Sequence, residues 1–547
     1  MEKNSKKSTN KMKEDTKMPN KETFTPVKGE EELAFIQNML KDYHILPCNN
    51  DTIVMTVPVE DNWLRLIVGS QKLKDYISMQ FFERANRFPS KKTLGEIESW
   101  LRYKTMTQDP KDVSYRVKRI GGTIYYDLCT NTLQYIKITK DGWEVSEGDI
   151  DYFAYSPSAS PQVIPIHNGG DIERLRKYIN ISDEDWLLFV VYLISCFYEG
   201  IQHPVLNING VWGSGKSTVS KIVKSLVDPA PVNQLLNDLP RQDRDLIVTL
   251  TSSYYIAFDN LSKINAEKSD IICKAVTGGN ASFRELYTNS GLKNLSYNTL
   301  IAFNGISDVI RKGDLAQRTL YFESLVIDED KRLPDNEFWE SFNKDKPYIL
   351  GGIFDILSKA IGLYDTIKVQ NLHRLADFHK WGCAIAKAIN PDLEVAFSEA
   401  LIRNKMKQVN NTLDNNVMLT AMFAWLEEKH YNFYDGSVKE LYLEVRDFIE
   451  DDYRNQYNIK YFPNAANSFG GKLRGYVQLC KELGWDVDFY KDSTTGNSHV
   501  RISKLRNTEN IDVSTIKRSA IFTRIPILSG KKAKVFRAAE NYILNKN

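Results

Sequence analysis

The residues best spaced to do chemistry lie near the middle of the chain. Gly210-Val211-Trp212-Gly213-Ser214-Gly215-Lys216-Ser217, followed by Thr218, is a complete G-x-x-x-x-G-K-[ST]. In such a loop the backbone N–H groups around Gly210, Gly213, Ser214 and Gly215 close on phosphate. Lys216 reaches the outer phosphates, and the Ser217 hydroxyl ligates Mg²⁺. Downstream, the apolar run 254–258 ends in Asp259. An acid at the end of a neighbouring strand sits beside the loop and can hold Mg²⁺ through water. A third apolar run, 299–303, ends in Asn304-Gly305, where a polar group would face the γ-phosphate and orient water. This set points to a bound nucleotide.

The surrounding pattern says what positions these groups. Val205, Leu206 and Ile208 suit a short buried strand, and Val219, Ile222, Val223 and Leu226 recur at helical spacing before Pro229. Strand, glycine-rich loop and helix aim the helix N-terminus and its dipole at one point. From residue 205 to about 327 strand and helix alternate, which implies a parallel sheet covered on both faces. Between the second and third strands, the runs 283–288 and 294–298 flank a turn at 289–293. This reads as a β-hairpin with a polar tip bearing Lys293. Gly313 to Leu320 then leads into a last strand at 321–327.

The chain has 547 residues, enough for several domains, with 42% hydrophobic residues to build cores. No apolar run is long enough to span a bilayer, and residues 1–28 are polar and lysine-rich without the apolar segment of an export signal. A soluble cytoplasmic protein is expected. Six scattered cysteines without C-x-x-C read as reduced thiols, not a zinc site. The net charge is +2, so binding to nucleic acid must come from local patches.

The expected organisation is a disordered basic tail (1–28), a mixed α+β N-terminal domain (29–165), a phosphate-loop core (166–330), a helical lid (331–410), a DNA-binding domain (411–505) and a basic tail (506–547). Residues 30–110 read as mostly helical, with Leu94, Ile97 and Leu101 in phase. A β-meander follows from about 113 to 145, then the D-x-D of Asp149 and Asp151, too common a pattern to assign, and a proline- and serine-rich linker at 157–165. In the last third, helices at 419–429, 438–449 and 465–483 precede alternating strands at 485–490 and 499–503. Three helices and a hairpin read as a winged helix, whose third helix suits a major groove. Lys472, Arg474, Lys491 and Arg501 are its expected DNA contacts.

The order of these features resembles that of AAA+ ATPases, above all the replicative helicases and initiators of mobile elements. Among these are MCM proteins, the poxvirus primase-helicase group, and the ATPases of staphylococcal cassette chromosomes and pathogenicity islands. The likeness rests on G-V-W-G-S-G-K-S-T, Y-I-A-F-D-N-L-S, the hairpin after V-T-G-G-N, I-A-F-N-G-I, D-L-A-Q-R-T-L, and H-R-L-A-D-F-H-K-W-G-C-A-I-A-K-A from His373. It implies ATP and Mg²⁺ as cofactors, with Lys216, Ser217 and Asp259 binding them and Asn304 as sensor 1. Arg318 would be an arginine finger completing a neighbour's site, Arg311 the second choice, and Arg374 the sensor 2 arginine. A finger acting in trans implies a ring, most simply a hexamer. The implied activity is a ring-forming DNA helicase that translocates on one strand of forked DNA alongside element-encoded replication proteins, with self-loading left open. The alternative is a DNA-binding initiator or regulatory ATPase that does not unwind processively. One position departs from the pattern: Asn260 follows Asp259 where many such proteins carry Glu. An amide orients water but cannot take its proton, so hydrolysis would be slow or would use another carboxylate, such as Glu285.

Overall fold

The computed structural model describes residues 30–505, apart from single residues and short stretches such as 232–234, 285–291, 306–308 and 453–460. Both expected tails lie outside the described residues.

Residues 30–105 form helix α1 (Glu30–Leu40), strands β1 (Ile45–Pro47), β2 (Ile53–Val59) and β3 (Asn62–Ile67), and helices α2 (Gln71–Ala85) and α3 (Lys91–Thr105). Ser70 and Ser90 cap α2 and α3 by accepting the N–H groups of Leu73 and Thr93. The reading of this region as mostly helical misses the antiparallel sheet β1-β2-β3. β2 contains Pro58, and prolines within sheets are confined to positions that need no ladder donor. The Thr56 N–H bonds across to His44, but Pro58, two residues on, faces past the end of β1, where no donor is needed.

Strands β4 (Val117–Ile120), β5 (Thr123–Asp127), β6 (Gln134–Thr139) and β7 (Gly142–Glu147) form the expected meander, with a fourth strand added after Asp141. Its inner face is not a separate core. Ile124, Tyr126, Ile136 and Trp143 pack in one cluster with Phe197, Leu226 and Phe354. Tyr126 donates its hydroxyl to the carbonyls of Leu226 (3.3 Å) and Val227 (3.1 Å). Arg116 is fully buried, 3.0 Å from Asp228, which also pairs with Lys224 at 2.9 Å. The proline-rich stretch read as a linker is strapped to the same place. The Ser160 N–H reaches Pro229, and the Gln162 amide donates to the carbonyls of Ser225 and Leu226. The expected boundary at 165 falls inside this shared core.

The central layer follows α4 (Asp183–Ser195). It comprises β8 (Val205–Asn209), α5 (Lys216–Val227), α6 (Asp243–Leu250), β9 (Tyr255–Phe258), α7 (Ala266–Val276), the hairpin β10 (Asn280–Arg284) and β11 (Leu292–Ser296), β12 (Leu300–Gly305), α8 (Gly313–Ala316) and β13 (Thr319–Glu323). Four strands form a wholly parallel sheet in the order β13-β8-β12-β9, and Leu236 adds one bridge beyond β9. All four strands are almost entirely buried, which explains the apolar runs of β9 and β12; in β8 the run is interrupted by Asn207, which is itself buried. The strand carrying Asp259 is therefore not the neighbour of the phosphate-loop strand; β12 lies between them.

Helices α9 (Asp335–Leu363), α10 (Ala376–Ile389) and α11 (Leu393–Asp414) follow. Asn404 on α11 is 1% exposed and reads the backbone of edge strand β13. Its carbonyl accepts the Tyr321 N–H at 3.0 Å and its amide donates to the Tyr321 carbonyl at 2.6 Å. The free edge is thereby covered. The last unit contains α12 (Val417–Glu428), β14 (Phe433–Ser437), α13 (Val438–Asp452), α14 (Ala466–Gly475), α15 (Val477–Glu482), β15 (Trp485–Lys491) and β16 (Ser498–Lys504) around its own core. The expected third helix is broken at Tyr476, and the expected hairpin gains β14 as a third strand in the order β14-β16-β15. The molecule is thus a multidomain α/β protein with a parallel sheet flanked by helices. Among the described residues no helix is long and apolar enough to cross a membrane.

Candidate functional site

Three chain segments meet at the C-terminal ends of the parallel strands. The first is the loop from β8 to α5. Gly215 caps α5 at a φ of 86°, and Gly210 admits no side chain, because a Cβ there would stand 2.7 Å from both Ser214 Oγ and the Ser324 carbonyl. The loop is braced from behind, where Ser324 Oγ donates to the Ser214 carbonyl at 2.6 Å. Ser214 is buried, and its hydroxyl has no partner among the described residues. Thr218 lies half-buried on the first turn of α5. Lys216 is 9% exposed and donates to the Val211 carbonyl at 2.6 Å. Burial lowers its pKa, and the nearby Asp259 carboxylate opposes that shift.

The second segment is the end of β9. Ser217 Oγ donates to Asp259 Oδ1 at 2.8 Å, so a hydroxyl and a carboxylate oxygen already converge. The third is the end of β12. Asn304, 1% exposed, accepts the Asn260 N–H at 2.7 Å and donates to Ser220 Oγ at 3.0 Å. Both ends of this amide are engaged by the protein. It therefore ties β9 to α5 and does not point freely toward a phosphate, as the sequence suggested. It holds Asn260 in a left-handed conformation (φ 57°), which Asn tolerates better than most residues.

These groups fit a nucleotide with Mg²⁺. A helix N-terminus and a lysine would face the anion, and Ser217 with Asp259 would offer the hard oxygen ligands that Mg²⁺ takes alongside phosphate. Among the described residues no cluster of three or more His, Cys, Asp or Glu offers a separate metal cage.

The two arginines expected to act on the nucleotide are elsewhere. Val205 pairs with Thr319 and Asn209 with Glu323, so Arg318 stands at the opposite end of the sheet from the loop. Five residues of strand separate them, roughly 16 Å. Arg318 Nη1 lies 2.5 Å from Asp314 Oδ1, and Arg374 Nη2 also lies 2.5 Å from that oxygen, with Arg374 Nη1 on Gln317. Burial alone would raise the Asp314 pKa. Hydrogen bonds from Arg318, Cys273 and Arg374, with the charge of Arg318, outweigh it and hold the carboxyl down at about 2. Arg374 thus joins Arg318 and does not reach the phosphate loop of its own chain. Arg311 and Glu285 lie outside the described residues.

The expected DNA contacts divide similarly. The hairpin is present, but Lys293 lies opposite Phe283 within β11 and not at the turn; the turn 285–291 and the Lys293 side chain lie outside the described residues. Lys472 and Lys491 are exposed. Arg474 lies over the Phe489 ring and donates to Ser498 Oγ at 2.8 Å. Arg501 forks onto Asp435 Oδ2 at 2.9 and 3.1 Å and lies over Tyr490. Asp151 of the D-x-D is 3.1 Å from His44 Nε2. Sequence reasoning passed over Arg332, whose guanidinium approaches the phosphate loop at Gly213. No motif or periodicity marks that position.

Residues 172–398, which contain the phosphate loop and the strands around it, match the family model for the actinomycete integrative conjugative element replication protein. A search of curated proteins finds no match. Among solved structures, the A form apo structure of the NrS-1 C terminal region is 11% identical, with 86% of this chain and 98% of that chain covered and a TM-score of 0.38. A second apo structure of the same region is 13% identical, covering 88% of this chain and 100% of that one, with a TM-score of 0.35. The family match supports a replication protein of a mobile element.

Proposed function

We propose that this chain is an ATP-hydrolysing, ring-forming DNA helicase of the AAA+ type that serves the replication of a mobile element. One observation carries the reading: Lys216, Ser217, Asp259 and Asn304 gather at one end of the sheet, while Arg318 is fixed at the other. A guanidinium is wanted where charge builds on a transferring γ-phosphoryl group, and Arg318 cannot reach its own loop. A neighbouring copy can receive it, and repetition of that head-to-tail contact closes a ring. Mg²⁺, when bound, would supply positive charge against the phosphates. Lys216 and the loop N–H groups would hold those phosphates, Ser217 and Asp259 would hold the ion, and Asn304 would keep the Asn260 turn against α5. The β10-β11 hairpin and the C-terminal unit, read as a winged helix, are the proposed DNA-handling parts. Such gripping of backbone phosphates is sequence-tolerant and weakens with salt.

The test is strand separation on a forked duplex with ATP and Mg²⁺. Wild type is expected to unwind it and Lys216→Ala is not. ATP hydrolysis stimulated by DNA without any strand separation would reject the helicase. That outcome would favour a second reading, an initiator or regulatory ATPase, to which Asn260 already lends support. Of the carboxylates at these strand ends, Asp259 is committed to Ser217, and Glu323 is exposed at the end of the edge strand β13.

A further inference from the structure

The segment after β13 forms the outer wall of the phosphate loop. Ser324 bridges to Ile181, and the Leu325 N–H bonds to the Asn180 carbonyl at 3.0 Å. The Asn180 amide donates to the Leu325 carbonyl at 2.5 Å and to the Ser214 carbonyl at 3.4 Å, pinning wall to loop. Ile327 continues along the loop, its Cδ1 3.3 Å from where a Cβ on Gly215 would stand. A short 3-10 turn at Glu329–Lys331 then swings the chain back, closed by the Arg332 N–H on the Glu329 carbonyl at 3.4 Å. The turn delivers Arg332 to the loop, with Nη2 3.8 Å from the Cβ position of Gly213.

Arg332 differs from the other arginines near the core. Arg116, Arg174, Arg176, Arg318 and Arg374 are each paired with a carboxylate. The Arg332 side chain is exposed and forms no ion pair or hydrogen bond with any described residue. A bare guanidinium is left standing over an anion-binding loop. A nucleoside triphosphate with one Mg²⁺ still carries net negative charge, and Lys216 is a second cation at the loop among the described residues. Gly213, at a φ of 74°, carries no side chain to separate Arg332 from the loop backbone.

We infer that Arg332 is a nucleotide-contacting residue supplied in cis, pairing with phosphate oxygens of the nucleoside polyphosphate held by the loop. It takes the place on its own chain that Arg374 was expected to fill. The inference rests on the nucleotide reading of the loop and adds the residue that would set its affinity. A guanidinium matches two phosphate oxygens at once and an ammonium does not, so Lys is a partial substitute.

Equilibrium binding of ATP, ADP and adenosine to the full-length protein tests this, with Arg332→Ala, Arg332→Lys and Lys216→Ala compared in low and moderate salt. Arg332→Ala is expected to weaken ATP and ADP binding by roughly tenfold. Arg332→Lys should recover part of that loss, adenosine binding should be unchanged, and the ligand-free melting temperature should not move. Wild-type ATP affinity in Arg332→Ala, with affinity lost in Lys216→Ala, would overturn the role of Arg332 and leave the loop reading intact. An equal loss for adenosine would also overturn it, because the residue would then be stacking on the base. If wild type itself binds no nucleotide, the loop reading falls and this inference with it.

Discussion

The two ends of the central sheet are built from opposite kinds of contact. At the loop end, the contacts are hydrogen bonds between unlike groups and not ion pairs: an amide on a backbone N–H, a hydroxyl on a carboxylate, a lysine on a carbonyl. At the far end, two arginines share one carboxylate. The first arrangement is easily displaced by a ligand that offers phosphate oxygens. The second is a charged cluster, with Gln317 reaching on to Glu482 of the C-terminal unit. On the proposed reading, these are two halves of one site, too far apart in a single chain to combine without a second copy.

Breaking that contrast at the far end should give the largest effect. Arg318→Ala should lower ATP turnover by roughly 10³-fold or more while nucleotide binding persists. Mixing it with Lys216→Ala should restore part of the activity, because mixed assemblies contain some interfaces with both halves intact. Steady-state turnover across mixing ratios reads this, and no recovery at any ratio would place Arg318 outside a shared site. Next in size is Asn304→Ala, which strips the Asn260 N–H of its buried acceptor. A loss of roughly 10²-fold in turnover is expected with little change in ATP affinity, measured as kcat against KM.

Asp314→Asn sharpens the comparison through pH. The Asp314 pKa is lowered in the fold, so its ion pairs stabilise the protein above the ordinary carboxylate value, about 3.9, and the contribution fades as pH falls toward about 2. The stability difference between wild type and Asp314→Asn should therefore be present at neutral pH and shrink on acidification through that window, followed by thermal melting. The smallest effect belongs to Arg501→Ala. Its fork onto Asp435 already occupies the guanidinium, so DNA affinity should fall less than about threefold, and less than in Lys472→Ala, in a salt-dependent binding titration.

The loop end of the sheet was legible because its chemistry needs fixed residue types at fixed spacing. Gly210 and Gly215 report backbone conformations that only glycine tolerates, and the apolar runs of β9 and β12 report strands buried on both faces. The order of those strands was not legible, since nothing in a buried run names its neighbour. That is why β12 was not expected between the loop strand and Asp259. β14 was hidden for a different reason: Phe433-Tyr434-Asp435-Gly436-Ser437 reads as a turn by local preference and becomes a strand because β16 offers a free edge. Arg374 was misplaced because a basic residue at the head of a helix has no sequence mark for the direction it faces. Arg332 went unnoticed because a 3-10 turn in an otherwise irregular wall carries no periodicity.

The burial of Arg116 bears on how this protein can be divided or inherited. The segment that matches the replication-protein family begins at residue 172, whereas the wall behind α5 is laid down from about residue 116. A fragment cut at 166 would take away the Arg116 partner of Asp228 and bare the apolar back of the helix that carries the phosphate loop. The smallest piece of chain able to present that loop therefore includes the meander. A transplant of only the matched segment would carry the phosphate-loop motif without the scaffold that keeps its helix in place.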